Sequence, residues 1–231
     1  HWMKVGRVPD AMRELAAAAA LGEVAKPALI RALRDHLPGD RAEAARTLGE
    51  LGGEDAVEAL RAALRDEEPF VRTSATVALG QAAAGDALEF LEPLAADPHS
   101  VVRTAAGRTL VRFGEAGIEA LVRTLEQPSA PARESAALSL GFAGEAAAGV
   151  VEVLWGMLAA DPSSQVRRAV AEALGTIPGV HLPLLDAVLD DASWRVRLAA
   201  AKAIGKTAPP DADTVLQKSL GDSYALVREA A

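Results

Sequence analysis

Asp191-Ala-Ser-Trp-Arg-Val-Arg-Leu-Ala-Ala-Ala-Lys-Ala-Ile-Gly205 carries the unit from which the whole chain is built. Its Asp191 and Arg197 define an Asp-x5-Arg spacing that recurs as Asp35/Arg41, Asp66/Arg72, Asp97/Arg103, Asp161/Arg167 and Asp222/Arg228. In one slot the acid is replaced, and Gln127 precedes Arg133. The arginines step by 31, 31, 30, 34, 30 and 31 residues. Self-similarity at such a period marks a stack of small units, each resting on its neighbours, in place of one closed globule.

With each repeat Arg as the origin, position −1 holds Val71, Val102, Val166, Val196 or Val227, and position +3 holds Ala44, Ala75, Ala106, Ala136 or Ala200. Position +7 holds Leu48, Leu79, Leu110, Leu140, Leu174 or Ile204. Steps of four keep these residues on one face of a helix. Gly49, Gly80, Gly141, Gly175 and Gly205 follow at +8, where a residue free to take positive φ is expected to let the chain turn. A second apolar-periodic segment precedes each Asp, for example Val57, Leu60 and Leu64. Each unit therefore reads as two antiparallel helices, A then B, joined by a short turn that begins at the Asp.

The pattern places A helices at about 24–35, 54–65, 86–96, 116–126, 146–160, 181–190 and 211–220. B helices fall at about 40–51, 69–82, 99–113, 131–143, 164–176, 194–206 and 224–231, and a capping helix at about 9–21 precedes them. The reading is one solenoid over residues 1–231 with about seven helix pairs, the last of them truncated. Because solenoids end in polar caps, the short last unit suggests a piece of a longer protein or an end that docks on another chain, end-to-end self-association included.

Composition narrows the function. Half of the residues are hydrophobic but only 3% are aromatic. Net charge is −8, which lacks the broad basic field that a phosphate backbone requires, so nucleic acid is excluded as the expected partner. Cysteine is absent, which removes disulfides, thiolate chemistry and Cys-ligated metals. No apolar run approaches the roughly 20 residues of a spanning helix, so no membrane partner is expected and the chain reads as soluble and cytoplasmic. Five lysines among 24 basic residues suggest a GC-rich, bacterial or archaeal genome. The four histidines are scattered and form no ligand-like cluster. No catalytic residue, metal or cofactor is expected.

Asp191 to Gly205 and Val71 to Gly80, with Asp-x4-Val-Arg, Ala and Leu-Gly at fixed offsets, resemble the short HEAT-like repeats of the phycobilisome-lyase type. The resemblance covers nearly the whole chain and implies an all-α, right-handed α-α superhelical solenoid. It further implies that the repeated Asp and Arg residues, from Asp35 and Arg41 to Asp222 and Arg228, form a ladder of ion pairs within and between units, a structural role. The His-Glu pairs that serve the related HEAT-repeat deoxyhypusine hydroxylases as iron ligands are missing here.

In that family the B helices line the concave side. Positions +1, +5 and +9, opposite the −1/+3/+7 face, together with −3 and −2 in the turn, are then expected to face a groove. They bring Phe70, Arg108, Arg112, Phe142, Arg168, Trp194, Arg195, Leu198 and Lys202 forward as candidate partner-binding residues. Arg46, Val77, Val101, Leu138 and Lys206 share the same rows, against acidic Glu50, Glu134, Glu172 and Glu229. Exposed apolar and aromatic side chains ringed by arginine are the composition of protein-binding surfaces. The expected function is a non-enzymatic scaffold that grips an acidic, apolar peptide or helix of another protein. A bilin-lyase-like subunit is the alternative that the resemblance supplies, and a HEAT-like nucleic-acid binder is a more distant one. Trp155 stands in a slot that other units fill with leucine and is expected in the core, whereas Glu54, Glu58, Glu115, Glu119 and Glu152 on the A helices are expected on a solvated convex face.

Overall fold

A computed structural model describes residues 22–82, 87–178, 188–207 and 212–231. The capping helix expected at 9–21 and most of the A helix expected at 181–190 lie outside the described residues. The chain divides into two compact units, residues 1–113 and 114–231.

In the first unit the helices are α1 (Lys26–Ala32), α2 (Pro38–Leu51), α3 (Glu54–Ala63), α4 (Pro69–Ala82), α5 (Leu88–Leu91) and α6 (Ser100–Val111). Pro93 stands where α5 passes into a 3-10 turn, Glu92–Ala96, in keeping with the backbone donor that proline lacks. In the second unit they are α7 (Glu115–Leu125), α8 (Ala130–Ala143), α9 (Val151–Ala160), α10 (Ser164–Leu174), α11 (Trp194–Thr207), α12 (Ala212–Leu216) and α13 (Ala225–Ala230). No strand occurs among the described residues. The architecture is an all-α solenoid of tandem helix pairs.

The −1, +3 and +7 rows form the core: Val71, Ala75, Leu79, Val102, Leu140, Val166, Leu174 and Ile204 are fully buried. On the A side Leu29, Leu60, Leu91 and Leu121 fill the matching slot, and Trp155 is buried with them.

Consecutive B helices pack against one another throughout each unit. The +8 glycines explain how closely. Apart from the overturned expectation of positive φ, which belongs instead to Gly22, Gly52, Gly53, Gly114 and Gly144, they face the +6 residue of the next B helix. A Cβ on Gly49 would stand 2.6 Å from the Ala78 Cα, and one on Gly175 would stand 2.7 Å from the Ala203 Cβ. Gly80 meets Thr109 and Gly141 meets Ala173 in the same way. These glycines are contact points between helices, because a side chain there would overlap the neighbouring B helix. Gly205 differs, with open space around its missing Cβ.

The repeated Asp and Arg join the units at the turns. Each Asp carboxylate accepts the backbone N–H two residues on, from Leu37, Glu68, His99, Ser163, Ser193 and Tyr224 at 2.8–3.0 Å, the turn that aspartate favours. The carboxylate also receives a two-pronged guanidinium from the preceding repeat: Arg41 to Asp66, Arg72 to Asp97, Arg133 to Asp161, Arg167 to Asp191 and Arg197 to Asp222. The Nε to Oδ2 distances are 2.6–2.8 Å, and the Nη2 to Oδ1 distances are 2.8–3.1 Å. Side-chain pairing thus runs between repeats. Within a repeat, Arg Nη1 reaches only the main-chain carbonyl of its own turn, as from Arg72 to Asp66 O and from Arg103 to Asp97 O. Arg133 therefore keeps that bond, to the Gln127 carbonyl at 3.0 Å, although the acid is gone.

The two ends of the row correct the expected ladder. Arg228, expected to pair with Asp222, does not touch that carboxylate: its Nη1 donates to the Asp222 main-chain carbonyl at 2.6 Å, and the Asp222 carboxylate is taken by Arg197. Elsewhere the arginine finds its acid 24–28 residues further on. Arg228 is exposed, with no carboxylate partner among the described residues, and bonds the main chain of its own turn. At the other end Asp35 does not pair with Arg41, which bonds only its main-chain carbonyl, at 3.1 Å. Its carboxylate stands 2.9 Å from the exposed His36 ring.

Within the row both partners are largely buried, down to 5% side-chain exposure for Asp97 and Asp161. Burial opposes ionisation of Asp66, Asp97, Asp161 and Asp191, but the guanidinium and backbone N–H bonds outweigh it and hold each carboxyl below its usual range. At Asp222 the Arg197 hydrogen bonds lower it to about 2.

One composition reading needs correction. The helical stretch Ala130–Ala160, with mean hydropathy 1.5, is long and apolar enough by composition to cross a membrane. It is not one rod. Gly144, at φ +56, ends α8, and a 3-10 segment, Gly144–Val150, leads into α9. The two helices have 14 and 10 residues, each short of the roughly 20 that a crossing needs.

Candidate functional site

On the B layer of the second unit, α8, α10 and α11 enclose a groove of about 320 Å3. Its floor is made of small residues, Gly141, Ala173, Ala199 and Ala203, of which Gly141 and Ala173 form the contact between α8 and α10, and Ala203 meets Gly175 between α10 and α11. Leu138 and Phe142, one turn apart on α8, form one wall. Phe142 is 63% exposed. Lys202 and Lys206, one turn apart on α11, form the facing wall, and both are exposed. The Thr176 hydroxyl, also in the lining and just past α10, has its single proton within reach of the Gly141 and Ala173 carbonyls, at 2.9 and 2.7 Å, and so ties α8 to the end of α10.

The charge of this face follows from internal pairing. Arg168 holds Glu172 on its own helix at 2.6 Å and Glu134 on α8 at 2.7 Å. Burial works against its charge, and the two carboxylates raise its pKa all the same. Two acids and one Arg are thus engaged with each other, while Lys202 and Lys206 have no ion-pair partner among the described residues. Two exposed ammonium groups stand opposite an aromatic wall, with the Arg168-bound Glu172 carboxylate also in the lining, on a protein of net charge −8.

The candidates from sequence separate into four places. Phe142 and Lys202 meet in the groove. Arg168 is half-buried beside it as a strut, with its guanidinium already committed. Trp194, Arg195 and Leu198 sit at the start of α11, outside the groove lining. There Trp194 is half-buried and stacks on Tyr224, with ring centroids 5.1 Å apart and 16° between planes, and the Arg195 guanidinium lies 4.5 Å from the Trp194 ring. Phe70, Arg108 and Arg112 belong to the first unit, on or beside α4 and α6, with Phe70 and Arg108 exposed. Sequence reasoning passed over Gly141, Ala173 and Ala203 as site residues. The signal was present in the pairing of Gly at +8 with a small residue at +6 of the next unit.

Among the described residues no group of three or more His, Asp or Glu side chains could hold a metal ion. The groove combines apolar area, an aromatic edge, two ammonium groups and the Glu172 carboxylate.

A family model for HEAT repeats matches residues 26–111, 94–175 and 151–231. No curated protein matches the chain. Among solved structures, YibA of Escherichia coli is 22% identical over 94% of this chain and 82% of that one, with a TM-score of 0.58. The CpcE–CpcF complex of phycocyanin lyase from Nostoc is 23% identical over 63% of this chain and 95% of the matched one, with a TM-score of 0.55. An engineered protein is 24% identical over 95% of this chain and 71% of its own, at 0.50. At such identities the likeness is one of fold. The family matches together run from residue 26 to residue 231, and the chain belongs to the HEAT-repeat family.

Proposed function

We propose that this protein is a non-enzymatic interaction module whose B-helix groove over α8, α10 and α11 holds an apolar segment of another protein that carries carboxylates. The observation that carries the reading is Phe142, 63% exposed on the wall of a groove whose other wall is Lys202 and Lys206. Covering an exposed aromatic removes apolar area from water, and a centrally placed aromatic beside cations is the usual anchor of a binding surface. The floor of Ala and Gly lets an incoming helix come close, and the two ammonium groups at i and i+4 match two carboxylates spaced one turn apart on that helix.

The test uses a fluorescein-labelled amphipathic helical peptide of Leu and Glu, followed by anisotropy. The wild-type protein should bind it, and Phe142→Ala with Lys202→Glu should weaken binding about tenfold or more while leaving the melting temperature unchanged. Absence of binding by the wild type, or equal binding by the variant, would refute the reading. The CpcE–CpcF likeness makes a bilin the natural competitor ligand, and an absorbance titration with phycocyanobilin that shifts its spectrum would move the assignment to pigment handling.

A further inference from the structure

We infer that the A layer of the second unit carries a separate docking groove, opposite in charge to the B groove, for an amphipathic helix with lysine or arginine beside its apolar stripe. A groove of about 730 Å3 lies between α7 and the 3-10 segment Gly144–Val150. That segment contains the extra residues that lengthen one repeat step to 34. The insertion is therefore not slack in a turn: its Ala146, Gly149 and Val150 form one wall of a cavity.

The opposite wall is α7. Glu115, Ile118, Glu119 and Val122 fall at i, i+3, i+4 and i+7, a single helical face. Ile118 is buried beneath, Val122 and Val150 are half-buried, and Glu115, Glu119 and, one turn further on, Arg123 are exposed at the rim. The wall supplied by the insertion contributes no charged side chain. Apolar contact along the floor, with two carboxylates and one guanidinium along the edge, leaves the rim net negative, and its complement is an apolar stripe with two cations set against Glu115 and Glu119. Among the described residues there is no strand whose edge could pair with an extended peptide, and the helix backbones are internally bonded. Recognition must then pass through side chains, which is the geometry of a helix laid in a groove. The acids expected on a merely solvated convex face here border a cavity.

A labelled peptide of Leu and Lys, with the pattern of the Leu/Glu probe and opposite charge, tests this by anisotropy at about 0.15 M salt, where long-range attraction is screened beyond roughly 8 Å. The protein should bind it, and Glu115→Lys with Glu119→Lys should weaken binding about tenfold or more. Asp213→Lys with Glu229→Lys makes the same change in net charge on exposed positions elsewhere and should cost no more than about twofold. Val150→Asp, at the edge of the insertion, should weaken binding as well, with far-ultraviolet circular dichroism to show that it has folded. The surface pair Glu115 and Glu119 decides the matter if it has not. Equal losses in the two charge-reversal variants would mean diffuse attraction to an acidic protein and would overturn the site, as would no binding at all. Loss of Leu/Glu binding in the Phe142/Lys202 variant bears only on the B groove, so the two readings stand or fall separately.

Discussion

The two helix layers join successive repeats by different means. Along the B layer, glycine against alanine brings neighbouring helices into contact, and a buried guanidinium from one turn grips the carboxylate of the next. Along the A layer, leucines such as Leu29, Leu60 and Leu121 face inward, and between the helices open the cavity beside α1 and α3 and the larger one beside α7. The difference teaches where specificity and stability sit. The B seam fixes the repeat-to-repeat geometry and leaves a groove of about 320 Å3 over α8, α10 and α11, and the A seam leaves larger ones whose lining differs from one repeat to the next.

Acid should break the B seam most completely. The ladder carboxyls have folded-state pKa values below their usual range, so the stability they supply is full above about pH 4 and is lost as pH falls through the folded values, about 2 at Asp222. Thermal melts should stay level from pH 7 to about 5 and fall steeply below 4, and a melting temperature unchanged down to pH 2.5 would remove the ladder from the stability account. Next in size, Arg72→Ala leaves the Asp97 carboxylate buried without its cation and should cost about 3–5 kcal/mol in a denaturant titration. An effect below about 1 kcal/mol would class the pair with surface ion pairs.

The glycine row gives the smallest and most pointed comparison. Gly175→Ala forces a methyl onto Ala203 and should destabilise by about 1–3 kcal/mol. Gly205→Ala, in the same row of the next repeat, meets nothing and should stabilise α11 by about 0.4–1 kcal/mol. Equal effects of the two substitutions would show that helix propensity, and not contact, governs the row.

The repeat architecture was legible because its signals are local and periodic. The −1/+3/+7 rows that sequence spacing put on one face are the rows buried in the core, and Trp155 took its leucine slot. The Asp-x5-Arg spacing marked the right residues, but the carboxylate each paired arginine takes belongs to the next repeat, because it is set by stacking and not by the interval within one unit. The glycines were misread because one helix alone cannot show what its +8 position faces. That role appears only when α2 is set beside α4 or α10 beside α11, and Gly at the end of an apolar run is otherwise a turn signal. The site was legible in part. Phe142 and Lys202 lie in the exposed rows, but that Arg168 is spent on Glu134, 34 residues away, follows from helix packing and not from spacing within one repeat. The 34-residue step announced extra residues without saying that they wall a cavity.

Because each paired arginine takes its carboxylate from the next turn and its carbonyl from its own, the bonded module straddles the boundary of the sequence repeat. A recombination event that removes a whole period rejoins an arginine to a competent turn, whereas one that removes half a period strands a guanidinium in the interior. The chain can lengthen or shorten by duplication only in that register, and Gln127 shows what drift within the register looks like: the carboxylate has gone and the carbonyl anchor has stayed.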